Sequence, residues 1–310
     1  MSESPFRSRF QIRDLEEFSG VKAHTIRIWE KRYGLLRPER TLTNIRTYGL
    51  EELKNLLNVA YLNRHGHKIS RIAKLSQLDR ERLVRDTAQE QNDLGDALTG
   101  LKMSMLGFDE AQFDSICDRY RQASGFRAVV EDLFVPLLEH IGLLWQTSSI
   151  CPSHEHFVSN LVRQKISAEI DALPPIPTTS DPIVVLFLPE HEIHELGLLY
   201  VAYVLRSLGR RAIYLGQSVP MADLEQVSGT FSQRLIFISF VTAFPAMDEL
   251  IPYANRFREL VPKERCALWL CGGQIARLGD APWPEGVRAF THIRELLQEL
   301  EASATGGAER

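Results

Sequence analysis

The sequence predicts a multidomain chain that is α in its first half and α/β in its second. Three observations predict it. Residues 10–78 read as short helices broken at a glycine and followed by a basic, turn-containing stretch. Residues 88–174 read as helical throughout, with apolar side chains at three-to-four spacing, the period of a buried helical face. From residue 183 onward, short apolar runs alternate with helical segments, the pattern of βαβ units in a parallel sheet with helices on both faces.

In the first part, Ile12, Leu15 and Phe18 fall on one helical face, and Gly20 ends that helix. A second short helix puts Ile26, Trp29 and Tyr33 near one face and leaves His24, Thr25, Arg27 and Arg32 for the others. Two short helices with a tight glycine turn form the helix-turn-helix pattern, whose second helix enters the DNA major groove. Pro38 stops the helix, because it has no N–H to donate. Arg40 to Tyr48 can then form a small hairpin carrying Arg40, Asn44 and Arg46, and Gly49-Leu50-Glu51-Glu52 opens another helix.

In the middle part, Leu94, Leu98, Leu101 and Met105, then Val130, Leu133, Phe134, Leu137 and Leu138, keep the helical period. Leu173 to Asp181 holds Pro174, Pro175 and Pro177, a linker signal. Beyond it, Ile183–Leu188, Ala212–Leu215, Leu235–Phe240 and Ala267–Leu270 read as strands. Glu195–Leu208, Met221–Ser228, Met247–Leu260 and Ile293–Leu300 read as helices. The domains expected are therefore 1–80, 88–175 and 180–303, with 304–310 a flexible tail.

Composition bounds the function. The net charge of −4 hides a split: residues 1–80 hold 16 Lys and Arg against 9 Asp and Glu, and the remainder 20 against 31. A basic end on an acidic body suggests that one domain meets nucleic acid and the rest does something else. Cys117, Cys151, Cys266 and Cys271 are too few and too irregular for a disulfide framework and read as reduced thiols of a cytoplasmic protein. The start MSESPFRSRF has no apolar signal region, and no run of about 18 apolar residues offers a membrane span.

The run TIRIWEKRYGLL (Thr25–Leu36), then Pro38, Arg40 and NIRTY (Asn44–Tyr48), resembles the MerR family of winged helix-turn-helix regulators. The likeness covers residues 10–78 with recognition helix, wing and following helix in order. It implies a homodimer, or a higher homo-oligomer, on a pseudo-palindromic double-stranded DNA operator. Carried over by position, His24, Thr25 and Arg27 face base edges or adjacent phosphates. Tyr33, Arg40, Arg46 and Tyr48 hold the backbone, with Arg32 adding charge on the same surface. Phosphate contacts give salt-sensitive affinity, and base contacts give sequence choice. Trp29 stands where the family more often has Tyr.

The first strand of the sheet runs into Glu190-His191-Glu192-Ile193-His194-Glu195. This polar cluster lies at the carboxyl edge of a parallel sheet, where open α/β sheets bind ligands. A neutral imidazole there can ligate a metal, and a nearby carboxylate can fix its tautomer. His191 and His194 are both candidates on spacing alone. Glu192-x-His194-x-x-Gly197 resembles the D-x-H-x-x-G signature of the cobalamin-binding domains of methionine synthase and methylmalonyl-CoA mutase, with Ser239 and Gly272-Gly273 following in order. The resemblance implies a Rossmann/flavodoxin-like doubly wound parallel sheet with His194 as lower axial ligand to cobalt. It also implies that Gly197, Ser239, Gly272 and Gly273 line the slot for the cofactor's nucleotide tail. Glu192 departs from the Asp of the signature, as it does in cobalamin-binding MerR-type regulators.

Trp145, then Glu155-His156 ten residues on, resembles the helical cap of methionine synthase and, more closely, that of the light-responsive CarH/LitR regulators. This implies a four-helix bundle covering the upper face of adenosylcobalamin. Trp145 would lie against the adenosyl group, with Glu155 and His156 facing the same cavity. Light-sensing members carry a His after the Trp where this chain has Gln146, so cobalamin binding is better supported than photochemistry. Cys151-x-x-His154-x-His156 also admits a zinc reading, which lacks a fourth ligand. The function expected is a DNA-binding regulator, a repressor by resemblance, whose operator binding is controlled by a cobalamin, adenosylcobalamin first, with ligand state or light as the signal. Two alternatives stand beside it. The sheet domain could instead serve oligomerisation or protein binding without cofactor, or the chain could be a methyltransferase component. The last would need a TIM-barrel substrate domain of about 250 residues, and none is read in this sequence.

Overall fold

The computed structural model describes residues 9–41, 43–90, 94–146, 150–176 and 182–305, without the side chains of 85, 86, 88–90, 143–146, 304 and 305. It falls into two compact units, residues 1–161 and 162–310.

In the first unit, helix α1 (Ile12–Ser19) starts where the Gln11 N–H donates to the Asp14 carboxylate and stops at Gly20, whose φ of 69° suits a residue without a Cβ. Helix α2 (Ala23–Tyr33) follows, ended by Gly34 at φ 63°. The Glu16 carboxylate accepts the Ala23 N–H and pairs with Lys22, so α1 caps the first turn of α2. Two short strands, β1 (Glu39–Arg40) and β2 (Arg46–Thr47), pair antiparallel as a wing. Phe10 and Tyr48 exchange both backbone hydrogen bonds beside it. Helices α3 (Leu50–Arg64), α4 (Ile69–Ile72) and α5 (Gln77–Glu90) complete this part.

Four helical segments make the bundle: α6 (Leu94–Gly107), α7 (Glu110–Ser124), the run α8–α9, and α10 (Pro152–Ala172), which extends into the second unit. In the third segment, α8 (Phe126–Ala128) passes through a π-helical stretch (Val129–Phe134) into α9 (Val135–Gln146). The widened turn precedes Pro136, which cannot donate to the carbonyl of residue 132. Leu101, Met105, Val130, Leu133, Phe134 and Leu137 are buried, as the helical period predicts; Leu94 is exposed.

The second unit is a five-stranded parallel sheet: β3 (Ile183–Phe187), β4 (Ala212–Gly216), β5 (Leu235–Phe240), β6 (Cys266–Cys271) and β7 (Val287–Phe290). Its order is β4-β3-β5-β6-β7, the flavodoxin-like arrangement. Helices α11 (Leu196–Ser207), α12 (Met221–Thr230), α13 (Leu250–Leu260), α14 (Gly273–Leu278) and α15 (Ile293–Thr305) link or follow the strands. All of β3 is buried, as its unbroken apolar run requires. Phe187, Phe237 and Phe257 stack edge to face through the core beneath.

Strand β7 and helix α14 were not expected. The β7 sequence Val287-Arg-Ala-Phe290 buries only its two ends, and α14 is a turn and a half long, so neither gives a strong periodic signal. The last helix runs to Thr305, beyond the expected Leu300, and residues 306–310 of the tail lie outside the described residues.

Candidate functional site

The chain order reverses direction in the sheet between β3 and β5, and open α/β sheets take ligands beside that switch point. The loop after β3 carries the expected motif there. Glu192 is wholly buried, Ile193 and His194 point outward with His194's side chain 54% exposed, and Glu195 is buried again. His191 holds a left-handed backbone (φ 69°), and its N–H donates to the Ser218 hydroxyl, tying this loop to the one after β4.

The Glu192 carboxylate spans the switch point. One oxygen accepts the backbone N–H groups of Ile193 and His194 and the His194 ring at Nδ1. The other accepts the backbone N–H groups of Thr242, Ala243 and Phe244, in the loop after β5. Burial alone would raise this carboxyl's pKa. The hydrogen bonds from the His194 ring and from the backbone of Ala243, Phe244 and His194 outweigh it and hold Glu192 ionised, well below the usual carboxylate range. With Nδ1 donating to Glu192, the nitrogen this ring would offer a metal is Nε2.

Ser239 sits near the end of β5, opposite Phe187 and Leu270 in the neighbouring strands. Its Oγ is wholly buried and, among the described residues, has no hydrogen-bond partner. A buried hydroxyl left in an apolar wall is costly, which fits a site whose ligand completes it. At Gly273, the first residue of α14, a Cβ would meet the Thr242 carbonyl oxygen at 3.9 Å. Gly272 has φ 125°, and a Cβ there would meet the Val241 carbonyl oxygen at 2.6 Å, so this glycine lets the loops after β5 and β6 close on each other. Gly197 departs from the expectation: the space its missing side chain leaves is filled by the Phe240 ring, 2.8 Å from an ideal Cβ. It brings α11 close to β5 and does not line an open slot.

These features fit a cobalamin: an outward imidazole with a carboxylate behind it, an unpartnered hydroxyl, and a glycine pair where two loops meet. In the helical bundle, Glu155 and His156 open α10 and pair with each other at 2.8 Å, His156 being largely exposed. His154 instead points inward. It stacks on Phe108 and its Nδ1 lies 3.1 Å from the Cys151 sulfur. Trp145 lies in α9, but its side chain and that of Gln146 are outside the described residues. Among the described residues no group of three or more His, Cys, Asp or Glu is placed to hold a metal, so the zinc reading of Cys151, His154 and His156 finds no ligand set.

At the other end of the chain, Ile26 and Trp29 bury one side of α2. His24, Arg27 and Arg32 are exposed on it, Thr25 and Tyr33 are half-buried, and the Arg32 guanidinium lies over the Tyr33 ring. The wing register sets Arg40 opposite Arg46. Arg40 is exposed and donates to the Asn44 side-chain oxygen. Tyr48 departs from the expected phosphate contact. It is fully buried, and its hydroxyl donates to Glu30 of α2 at 3.0 Å. Arg46 Nε donates to the other oxygen of Glu30 at 3.1 Å. Glu30 thus joins wing to recognition helix, a role not foreseen from the sequence. The one available signal was an acid in a helix otherwise rich in basic residues.

Residues 10–78 match the family model of MerR HTH family regulatory proteins, and residues 97–168 match a B12 binding domain model, on the helical segment. The chain is 30% identical to the HTH-type transcriptional repressor CarH of Myxococcus xanthus over 278 residues, 88% of this chain and 91% of that protein. It is 30% identical to the HTH-type transcriptional repressor CarA of the same organism over 239 residues, 75% of this chain and 77% of that protein. Among solved structures, the monomethylamine corrinoid protein of Methanosarcina barkeri superposes with a TM-score of 0.54 at 12% identity, covering 68% of this chain and 100% of that one. At that identity the likeness concerns the fold alone.

Proposed function

The chain belongs to the family of HTH-type transcriptional repressors that includes CarH and CarA, and from that membership we propose that it is a repressor whose hold on its operator is set by a bound cobalamin. The observation that carries this reading is the Glu192–His194 pair at the sheet's switch point. When bound, a cobalamin would supply a cobalt ion able to take a protein ligand. His194 would offer Nε2 to it, and Glu192 holds the ring in that tautomer. Ser239, Gly272 and Gly273 would hold the nucleotide tail, and Trp145, Glu155 and His156 would hold the cofactor from the helical bundle. We take the cofactor to be adenosylcobalamin, by the bundle's resemblance. Ligand state or light would be the signal; Gln146 in place of a histidine supports cofactor binding better than photochemistry.

On the DNA side, Arg27, Arg32 and Arg40 supply exposed charge, and Arg46 is positioned through Glu30. Two copies of this head would bind a pseudo-palindromic operator. Cofactor control requires that the cobalamin bind the DNA-competent and DNA-incompetent states unequally.

The test is to mix the purified chain with adenosylcobalamin in the dark, separate it by gel filtration, and record its spectrum before and after illumination. Gel shifts on the DNA upstream of its own coding sequence accompany it. Corrinoid absorbance that co-elutes, changes in His194→Ala, and alters the gel shift is the expected result. A wild-type chain that elutes without corrinoid, and a His194→Ala variant that behaves the same, would overturn the cofactor reading and leave a regulator whose sheet domain serves assembly.

A further inference from the structure

The His194 loop is anchored twice, by two carboxylates that do different work. Glu192 holds the ring itself. Glu195, on the other side of His194, is 7% exposed and reaches two other elements. Its Oε1 receives Arg163 Nε of α10 at 2.6 Å, and its Oε2 receives the Tyr214 hydroxyl of edge strand β4 at 2.8 Å. The Glu195 carbonyl accepts the Leu199 N–H and so starts α11. Burial and the neighbouring Glu195 raise the pKa of the Tyr214 phenol, which keeps it a donor. Arg163, whose own side chain is 55% exposed, is the cation paired with this nearly buried charge, and a buried carboxylate stripped of its cation is disfavoured. Arg163 lies two helical turns beyond His156 on the single helix α10, whose first turn also carries Glu155.

We propose that Arg163 and Glu195 are positioning residues that pass a change at His194 into helix α10, so that the state of the cobalamin site is felt by the helical segment. This rests on the cobalamin reading of His194. The residue that meets the metal and the residue that grips α10 are adjacent in the chain. His194 cannot shift its backbone without loading either the Glu192 bridge to residues 242–244 or the Glu195 grip on Arg163. The first keeps the ring oriented; the second carries the displacement to α10.

The full-length chain tests this with Arg163→Met, which keeps the aliphatic stem and removes the charge, and Arg163→Lys, which restores it. Two quantities are read: the absorbance titration with adenosylcobalamin, and the ratio of operator affinities with and without it. Arg163→Met should keep the wild-type cobalamin spectrum, and its affinity should stay within roughly threefold, because Glu192 still holds His194. The operator-affinity ratio should fall toward one, from a wild-type coupling of roughly 5–150-fold. Arg163→Lys should regain most of it. If Arg163→Met fails to fold, the double variant Arg163→Met/Glu195→Leu removes the buried charge as well and should show the same uncoupling. An unchanged ratio in a folded variant overturns the proposal. So does loss of cobalamin binding in Arg163→Met, which would make the residue part of the site itself. A wild-type chain that takes up no cobalamin fails the underlying reading instead, and a wild-type chain that binds it with no change in operator affinity leaves nothing to transmit.

Discussion

Glu192 accepts the His194 Nδ1 hydrogen bond while its second oxygen accepts three consecutive backbone N–H groups, of Thr242, Ala243 and Phe244. One carboxylate therefore orients the ring and joins the loops on both sides of the switch point. In Glu192→Gln, the amide can replace the acceptor on one side only and turns an NH2 group toward donors on the other. Loss of such an outer partner costs metal sites about 10–100-fold in affinity, and that is the drop expected in an adenosylcobalamin titration. Wild-type affinity in Glu192→Gln would mean that His194 is oriented by something else. Because the folded pKa of Glu192 is depressed, its contribution to stability is present above its ordinary value of 4.5 and is lost only as pH falls through the folded value.

Ser239→Ala should separate folding from binding. The variant removes a buried hydroxyl that has no partner among the described residues, so stability without cofactor should hold or rise slightly. Cobalamin affinity should fall, by about 1 kcal/mol for one hydrogen bond. Urea melts without cofactor and titrations with it measure the two effects. A Ser239→Ala chain that is less stable without cofactor, with unchanged affinity, contradicts the assignment.

Gly197→Ala drives a Cβ to within 2.8 Å of the Phe240 ring. Overpacking of this kind costs about 1–3 kcal/mol. Phe240→Leu in the same chain should return part of it, which chemical denaturation of the single and double variants would show. A slot-lining glycine would instead lose cofactor affinity at unchanged stability.

The sequence carried the parts of this architecture whose signals are local. The fully apolar run Ile183–Phe187 announced a strand buried on both faces, and Gly20 marked the end of α1; α2 ends at Gly34, four residues before the Pro38 expected to stop it. Strand β7 stayed hidden because it is four residues long with a charged Arg288 inside it. The candidate site divided the same way. Glu192 and His194 stand two apart and were legible as a pair. The partners of Glu192 lie fifty residues on and offer only backbone N–H groups, which no side-chain pattern reveals. Tyr48 was assigned to the DNA backbone by position in a motif. Its burial follows from the Phe10 bridge and the Glu30 hydrogen bond, which are tertiary facts.

That correction separates Tyr48 from its neighbours by experiment. Tyr48→Phe removes a buried hydrogen bond to Glu30 and should cost about 1 kcal/mol of stability, with a salt dependence of operator binding like the wild type's. Arg27→Ala should leave stability nearly unchanged and lower the magnitude of the log–log salt slope by about 1 per subunit, the signature of one lost phosphate contact. Gel shifts at several salt concentrations measure both. A reduced slope in Tyr48→Phe would return the tyrosine to the DNA surface.

His140 makes the first unit sensitive to mild acid. Burial, and then the nearby Lys102 charge, push its pKa down to about 4. Its ring meets Phe18 of α1 edge-on, and its buried Nε2 has no hydrogen-bond partner among the described residues. The unfolded chain binds a proton near the ordinary value of 6.5, and the folded protein resists it until about 4. Stability is therefore unaffected by this group above pH 6.5 and falls as pH drops from there toward 4. The loss amounts to about 2–3 kcal/mol, allowing for the ring's partial exposure. His140→Leu keeps an apolar contact for Phe18 and removes the titrating group. Urea unfolding at pH 7.5 and at pH 4.5 should show a smaller decline in this variant than in the wild type, by about 2 kcal/mol. Equal declines would mean that His140 takes up its proton as readily in the folded protein as in the unfolded chain.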